Sequence, residues 1–254
     1  MQLCFLGTGT SAGIPLIGCH CEVCDSTNPK DKRLRSSVLI SLDDKNIVID
    51  TGPDFRTQML RENIESLDAV LFTHEHRDHI AGLDDTRPFL FWSGKAMQIY
   101  CDHAVEKAIK RDFYYAFQDN PYPGSPQFNL NVIEANTSFN AVGVKIEALR
   151  IEHGKLSILG YKIGPLVYIT DANEIPPETM EKIKGCEILV LNALRTQSHH
   201  SHYNLEEALA VSKEIGAERV YFTHISHQLG SHDEVSAMLP DHISIAYDGL
   251  RLEI

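Results

Sequence analysis

No stretch of these 254 residues is apolar for long enough to cross a bilayer, and the N-terminus lacks the basic start of a signal peptide. A membrane partner is therefore not expected, and the cytoplasm is the expected location. Pro-, Gly- and Ser-rich linkers are missing, and no internal repeat stands out. With 43% of residues hydrophobic, residues 1–254 are expected to form one domain around a large core. Basic residues are scarce, 23 Lys and Arg against 35 Asp and Glu, for a formal net charge of −12. Long nucleic acids normally meet a basic surface, because phosphate neutralisation dominates their affinity, so nucleic acid is not an expected partner. The one marked basic run, Lys30-Asp31-Lys32-Arg33-Leu34-Arg35, reads as a solvated loop. The glycine-rich Gly7-Thr8-Gly9-Thr10-Ser11-Ala12-Gly13 lacks both the lysine of a P-loop and the spacing of a dinucleotide fingerprint; it reads as a tight turn after the first strand.

Histidine, by contrast, is concentrated. Residues 74–79 read His-Glu-His-Arg-Asp-His, directly after the apolar run Leu67–Phe72. Four potential ligands in six positions answer no packing or solubility need, and imidazole with carboxylate suits zinc, manganese or iron. In extended backbone, alternate side chains share a side, so His74 and His76 can grip one ion together. Asp78 and His79 come where the chain turns and can reach a neighbouring ion.

Other segments end in the same way. Leu71-Phe72-Thr73-His74, Tyr168-Ile169-Thr170-Asp171 and Tyr221-Phe222-Thr223-His224 each run from apolar residues through a threonine to a ligand type. Such runs read as buried strands, and sites in α/β sheets collect beyond strand ends. Ala148-Leu149-Arg150-Ile151-Glu152-His153-Gly154 is a fourth case, in which alternation precedes a histidine. The set His74, His76, Asp78, His79, His153, Asp171 and His224 is too large for one tetrahedral ion and suits a pair sharing a carboxylate.

The six cysteines divide into two kinds. Cys4, Cys101 and Cys186 stand singly in apolar surroundings and read as core thiols. Cys19, Cys21 and Cys24 lie within six residues, inside an N-terminal loop of about residues 18–35. Closely spaced thiols in a cytosolic chain bind zinc more often than they form disulfides, and a closed tetrahedral site needs one more ligand. A redox motif is the competing reading. Bound thiolates would also favour a reducing compartment.

The His-x-His-x-Asp-His string with its later His, Asp and His resembles the metallo-β-lactamase superfamily, from Leu3-Cys4-Phe5-Leu6-Gly7-Thr8-Gly9 to Tyr247-Asp248-Gly249. The resemblance implies an α/β fold, a four-layer αββα sandwich; the order along the chain agrees, with strands dominating the first 55 residues and helical stretches near 54–65 and 103–117 alternating with further strands. It implies that His74, His76 and His153 hold one ion, that Asp78, His79 and His224 hold a second, and that Asp171 bridges them. Asp50 matches a position that braces the ligand loops. Asp84 is the candidate to buttress a histidine, with Arg87 either pairing a carboxylate or touching substrate. The C-x-C-x-x-C string, with Phe222-Thr223-His224-Ile225-Ser226-His227-Gln228 downstream, is similar to the phosphoribosyl cyclic phosphodiesterase branch. By that resemblance His227 completes a structural zinc site with Cys19, Cys21 and Cys24.

The expected cofactors are thus two divalent ions, zinc or manganese, and one structural zinc. Two such ions lower the pKa of a bridging water and neutralise phosphoryl oxygens during in-line attack. The leaving oxygen then needs a proton. Resemblance points to His202, in Ser198-His199-His200-Ser201-His202-Tyr203-Asn204-Leu205, as the donor, so His202 and Asp78 are the candidate catalytic residues. His199 and His200 read as solvated. A helix follows, with Asn204 or Ser201 as its cap. Asp78 and Asp171 favour phosphoryl over lactam or thioester chemistry. The expected substrate is a small phosphodiester such as a ribose 1,2-cyclic phosphate. The alternatives are a carrier like that of pyrroloquinoline-quinone biosynthesis and a transfer-RNA 3′ processing nuclease; the nuclease's long RNA-binding arm has no counterpart here. A homodimer is implied by analogy only. The aromatic stretch Arg111 to Phe128 reads as a lid, a dimer face, or an ordinary helix and loop.

Overall fold

A computed structural model describes residues 1–254. Two seven-stranded sheets face each other. The first contains β1 (Gln2–Gly7), β2 (Ser37–Leu42), β3 (Lys45–Ile49), β4 (Ala69–Leu71), β5 (Met97–Cys101) and β6 (Phe128–Val132). The second contains β7 (Ser138–Ala141), β8 (Val144–His153), β9 (Leu156–Ile163), β10 (Leu166–Tyr168), β11 (Ile188–Asn192), β12 (Arg219–Thr223) and β13 (Ile243–Ile245), while β14 (Arg251–Glu253) returns to pair with β1. From β14 to β3 and from β7 to β10 neighbouring strands are antiparallel. From β3 to β6 and from β10 to β13 they are parallel.

Alternation along the strands accounts for the layers. In β3, Ile47 and Ile49 face the second sheet, whereas Val48 joins a cluster with Phe55, Met59, Val105 and Ile109. In β11, Ile188 and Val190 face the first sheet, while Leu189 and Leu191 pack with Met180, Ile183, Ala208 and Ile215. Both faces of these strands are therefore buried, as their continuous apolar runs require. Each fully buried aliphatic side chain contributes roughly 1.5–3 kcal/mol.

The outer layers are helical. α1 (Glu22–Asp25) is a single turn in the N-terminal loop; α2 (Phe55–Arg61), α3 (Arg77–Ile80), α4 (Arg87–Ser93) and α5 (His103–Asp112) accompany the first sheet. α6 (Pro177–Ile183), α7 (Leu205–Ile215) and α8 (His232–Ser236) accompany the second. The expected helices at 54–65 and 103–117 are shorter than the pattern suggested. The latter ends at Asp112 and gives way to a 3₁₀ turn over Tyr114–Phe117.

The basic run is not the solvated loop expected of it. Arg33 is buried and donates to Thr8 Oγ1 at 2.8 Å and to the Ala246 carbonyl. Asp31 is buried as well, and Arg35 pairs with Asp54 at 2.9 Å. Through Arg33 the run links the segments that follow β1 and β13, and it uses its charges internally.

Candidate metal centre

Three chain reversals build the centre. Asp50, Asp171 and His224 each follow a parallel strand closely and adopt left-handed φ values of 64°, 60° and 55°. Non-glycine residues rarely hold that conformation unless surrounding contacts enforce it, and such residues cluster at functional sites. The metal loop itself sits tightly on its neighbour: a Cβ added at Gly52 would lie 2.1 Å from the Asp78 carbonyl oxygen. Glycine is required there by close approach.

The sequence-distant candidates meet. His74 Nε2 and His76 Nδ1 are 3.0 Å apart, and the ligating atoms of His74, His76 and His153 all lie within 4.8 Å of one another. Asp171 is central: its carboxylate is 3.2 Å from His224 Nδ1, 3.5 Å from His79 Nε2 and 3.8 Å from His202 Nδ1. Asp78 approaches His79 Nε2 to 3.2 Å.

Neighbouring groups aim these rings. His153 Nδ1 donates to the Ser201 carbonyl at 2.8 Å, and His74 Nδ1 meets Thr73 Oγ1 at 2.9 Å, which leaves both Nε2 atoms for the centre. Such outer contacts fix tautomer and orientation. Asp50, fully buried, contacts His79 Nδ1 at 2.7 Å and accepts from the Thr73 amide and hydroxyl at 2.9 and 2.8 Å. Asp84 behaves otherwise. Its carboxylate is taken by Arg87 at 2.9 Å and by the Tyr115 hydroxyl, so it braces no histidine. It sits on the 3₁₀ turn beyond α3, where those two partners lie closer.

The electrostatics suit cations. Burial pulls His79 down, but Asp171, Asp50 and Asp78 outweigh it and hold the imidazole well above its usual range. Burial opposes Asp171's charge, yet His224 and His79 keep its carboxyl well below normal. His74 is pushed well below normal by burial and then by His79. Two inward nitrogens, His79 Nε2 and His202 Nδ1, are buried without a hydrogen-bond partner. A proton held among three carboxylates, beside an unpartnered imidazole nitrogen, marks a place where a divalent ion fits. His74, His76 and His153 would hold one, and Asp78, His79, Asp171 and His224 the other.

A second cluster lies on the N-terminal loop. Cys19, Cys21, Cys24 and His227 bring their ligating atoms within 4.8 Å of one another, with His227 Nδ1 at 3.4 Å from Cys19 Sγ and 3.3 Å from Cys21 Sγ. No cysteine is in a disulfide. The hydrogen bond from His227 lowers the Cys21 thiol to about 6, within reach of a thiolate at neutral pH. Zinc fits this donor set, and Ile225 packs with Val23 and Cys24 beneath it.

Several contributors carried no signal in the sequence. Ser36 Oγ and Thr10 Oγ1 each lie 3.2 Å from a His224 ring nitrogen. His199, read as solvated, is half-buried with its ring centroid 5.0 Å from that of His202. The aromatic stretch is tied to the metal loop by Arg77 and Asp112 at 2.6 Å, yet Tyr114 and Tyr122 remain exposed.

Fold and site together place the protein in the metallo-β-lactamase class. A family described as the beta-lactamase superfamily domain matches residues 45–225, and the chain belongs to that superfamily, in its PhnP-like branch. A crystal structure described as a new diphosphatase from the PhnP family superposes with a TM-score of 0.93 at 41% identity, over 100% of this chain and 97% of that one. Zinc-bound PqqB from Methylobacterium extorquens shares the fold, with a TM-score of 0.80 at 19% identity over 100% of each chain. An octanoyltransferase of Porphyromonas gingivalis is 44% identical over 252 residues, covering 98% of this chain but 51% of that protein. The chain thus spans about half the length of that relative.

Proposed function

We propose that this protein is a phosphodiesterase that hydrolyses small, cyclic ribose-type phosphodiesters with two divalent ions, zinc or manganese. The observation that carries the reading is the carboxylate-rich centre, in which Asp171 stands within 3.8 Å of His79, His202 and His224. When bound, the ion pair would supply Lewis acidity toward the phosphoryl oxygens and make the attacking water more acidic. The chain's own residues do the rest. Thr73, Asp50 and the Ser201 carbonyl fix the imidazoles that would hold the ions. His202, whose ring centroid is 4.7 Å from that of His153 and 5.0 Å from that of His224, is placed to donate a proton to the leaving oxygen. Burial and then His224 lower its imidazole to about 3, so the anionic substrate has to raise it for that role.

The resemblance to a diphosphatase supports phosphorus chemistry. Octanoyl transfer is not proposed: the relative bearing that name is twice as long, and this chain matches 51% of it. Consistent with the acidic chain, Arg33 and Arg35 are committed to internal partners and offer no nucleic-acid footprint. The test is turnover of bis-(p-nitrophenyl) phosphate by protein loaded with zinc or manganese. Steady hydrolysis is expected; no turnover with either metal at full occupancy would leave only the binding-protein reading.

A further inference from the structure

His202 sits in a loop with little of its own to hold it. Residues 196–202, between β11 and α7, make no backbone–backbone hydrogen bond. Only the base of the loop is closed in that way: the Leu194 amide donates to the Tyr203 carbonyl at 3.0 Å and the Leu205 amide to the Arg195 carbonyl at 2.9 Å. A segment of this kind opens readily unless side chains hold it. Its second half is held from the centre, because His153 Nδ1 donates to the Ser201 carbonyl at 2.8 Å.

The first half is held by one side chain. Arg195, half-buried, donates from Nη2 to the Ser198 carbonyl at 2.8 Å, from Nε to the Gln197 carbonyl at 3.2 Å and from Nη1 to Gln228 Oε1 at 3.2 Å. All three acceptors are neutral oxygens, unlike the carboxylates that take Arg35 and Arg77. A planar guanidinium bridges them at once in fixed directions, which a point-like ammonium does not. Gln228 closes the string that carries His224 and His227, and its own amide donates to Ser226 Oγ at 3.1 Å. The Ser226 amide in turn donates to the Leu194 carbonyl at 2.9 Å. Leu194 and Arg195 thus bind the start of the loop to that string.

We propose that Arg195 is a positioning residue for the proton donor, fixing the loop of His202 against Gln228. The inference rests on the phosphodiesterase reading above and deepens it. Arg195 acts through His202, so its removal is felt where the leaving oxygen needs a proton and hardly at all where it does not. A guanidinium that instead met the substrate's phosphate would weaken binding of every ester alike, with or without His202.

The test uses metal-loaded protein and two esters, bis-(p-nitrophenyl) phosphate and the less activated diphenyl phosphate. Arg195→Met is expected to lower kcat on diphenyl phosphate by about tenfold, part of what a proton donor supplies, with KM little changed and the nitrophenyl ester far less affected. Arg195→Lys is not expected to restore the loss, because it keeps the charge and lacks the fork. In protein that already carries His202→Ala, Arg195→Met should add no further loss. Limited digestion by proteinase K should cut within residues 196–202 faster in Arg195→Met, and to a smaller extent in Gln228→Ala, than in the wild type. Equal losses on both esters, a further loss on top of His202→Ala, or unchanged digestion would overturn the positioning role. A wild type that turns over neither ester would overturn the phosphodiesterase reading instead, and digestion alone would then decide whether Arg195 holds the loop.

Discussion

His76 differs from the other imidazoles of the centre in how little else it does. His74 is locked by Thr73, His79 by Asp50 and His153 by the Ser201 carbonyl, so replacing any of these disturbs a buried network. His76 caps the short α3 by position only, with no side-chain cap bond, and its ring meets the centre through His74. His76→Ala is therefore expected to retain the fold by circular dichroism while metal content falls. Turnover should drop by more than about 100-fold, since even outer-sphere partners of metal ligands cost 10–100-fold. His202 separates binding from proton transfer. His202→Ala should slow esters with poor leaving groups by roughly 10²–10⁴-fold and activated nitrophenyl esters far less, because only the former need the proton. Equal losses on both would remove His202 from the donor role.

At the scale of elements, the strand ends were legible and their braces were not. β4, β10 and β12 announce themselves by apolar runs that pass through a threonine to the ligand, and β8 by an alternation that ends on His153. Ser36 and Thr10 touch His224 across 188 and 214 residues of chain, and nothing local to a serine or threonine encodes that. Asp84 misled for the same reason: its partner Tyr115 lies 31 residues on, in an aromatic stretch whose position the sequence left open. The cap of α7 was readable. Asn204 accepts from the Glu207 amide and Glu207 returns the bond, a capping box. Asn204→Ala should cost about 1 kcal/mol in denaturant unfolding with kcat little changed. The N-terminal loop lacks such a cap, since α1 is one turn long and Cys21 at its N-cap makes no side-chain cap bond, and a zinc ion at the cysteine cluster is proposed to hold it instead. Cys21→Ser is expected to lower zinc content by one equivalent and to reduce thermal stability, because structural zinc contributes its binding energy to folding. Unchanged stability at lower zinc content would make that cluster dispensable to the fold.

Over the whole molecule, the layered order was implied by the resemblance to the metallo-β-lactamase superfamily, but the tie between the two halves was not legible. That tie is polar. Residues 8–10 run beside Ile225, with the Ile225 amide donating to the Thr8 carbonyl at 2.9 Å and the Thr10 amide to the Ile225 carbonyl at 3.0 Å. Arg33 crosses the same seam, reaching Thr8 from one side and the Ala246 carbonyl and His232 Nδ1 from the other, the last at 3.3 Å. To accept from a guanidinium, that imidazole has to be neutral. Burial first, then Arg33 and Lys30, against Asp233 and Asp31, lower His232 from 6.5 to about 4. Between those values the unfolded chain binds more protons than the folded one, so stability falls as pH drops from about 6.5 to about 4 and is fully present above that window. Metal ligands titrate in the same range, which makes the informative quantity a difference between proteins. In His232→Asn an amide oxygen can accept from Arg33 at every pH. The loss of melting temperature between pH 7 and pH 5 should therefore be smaller in the variant than in the wild type, measured at equal metal occupancy. Parallel pH profiles would show that protonation of His232 does not loosen the seam.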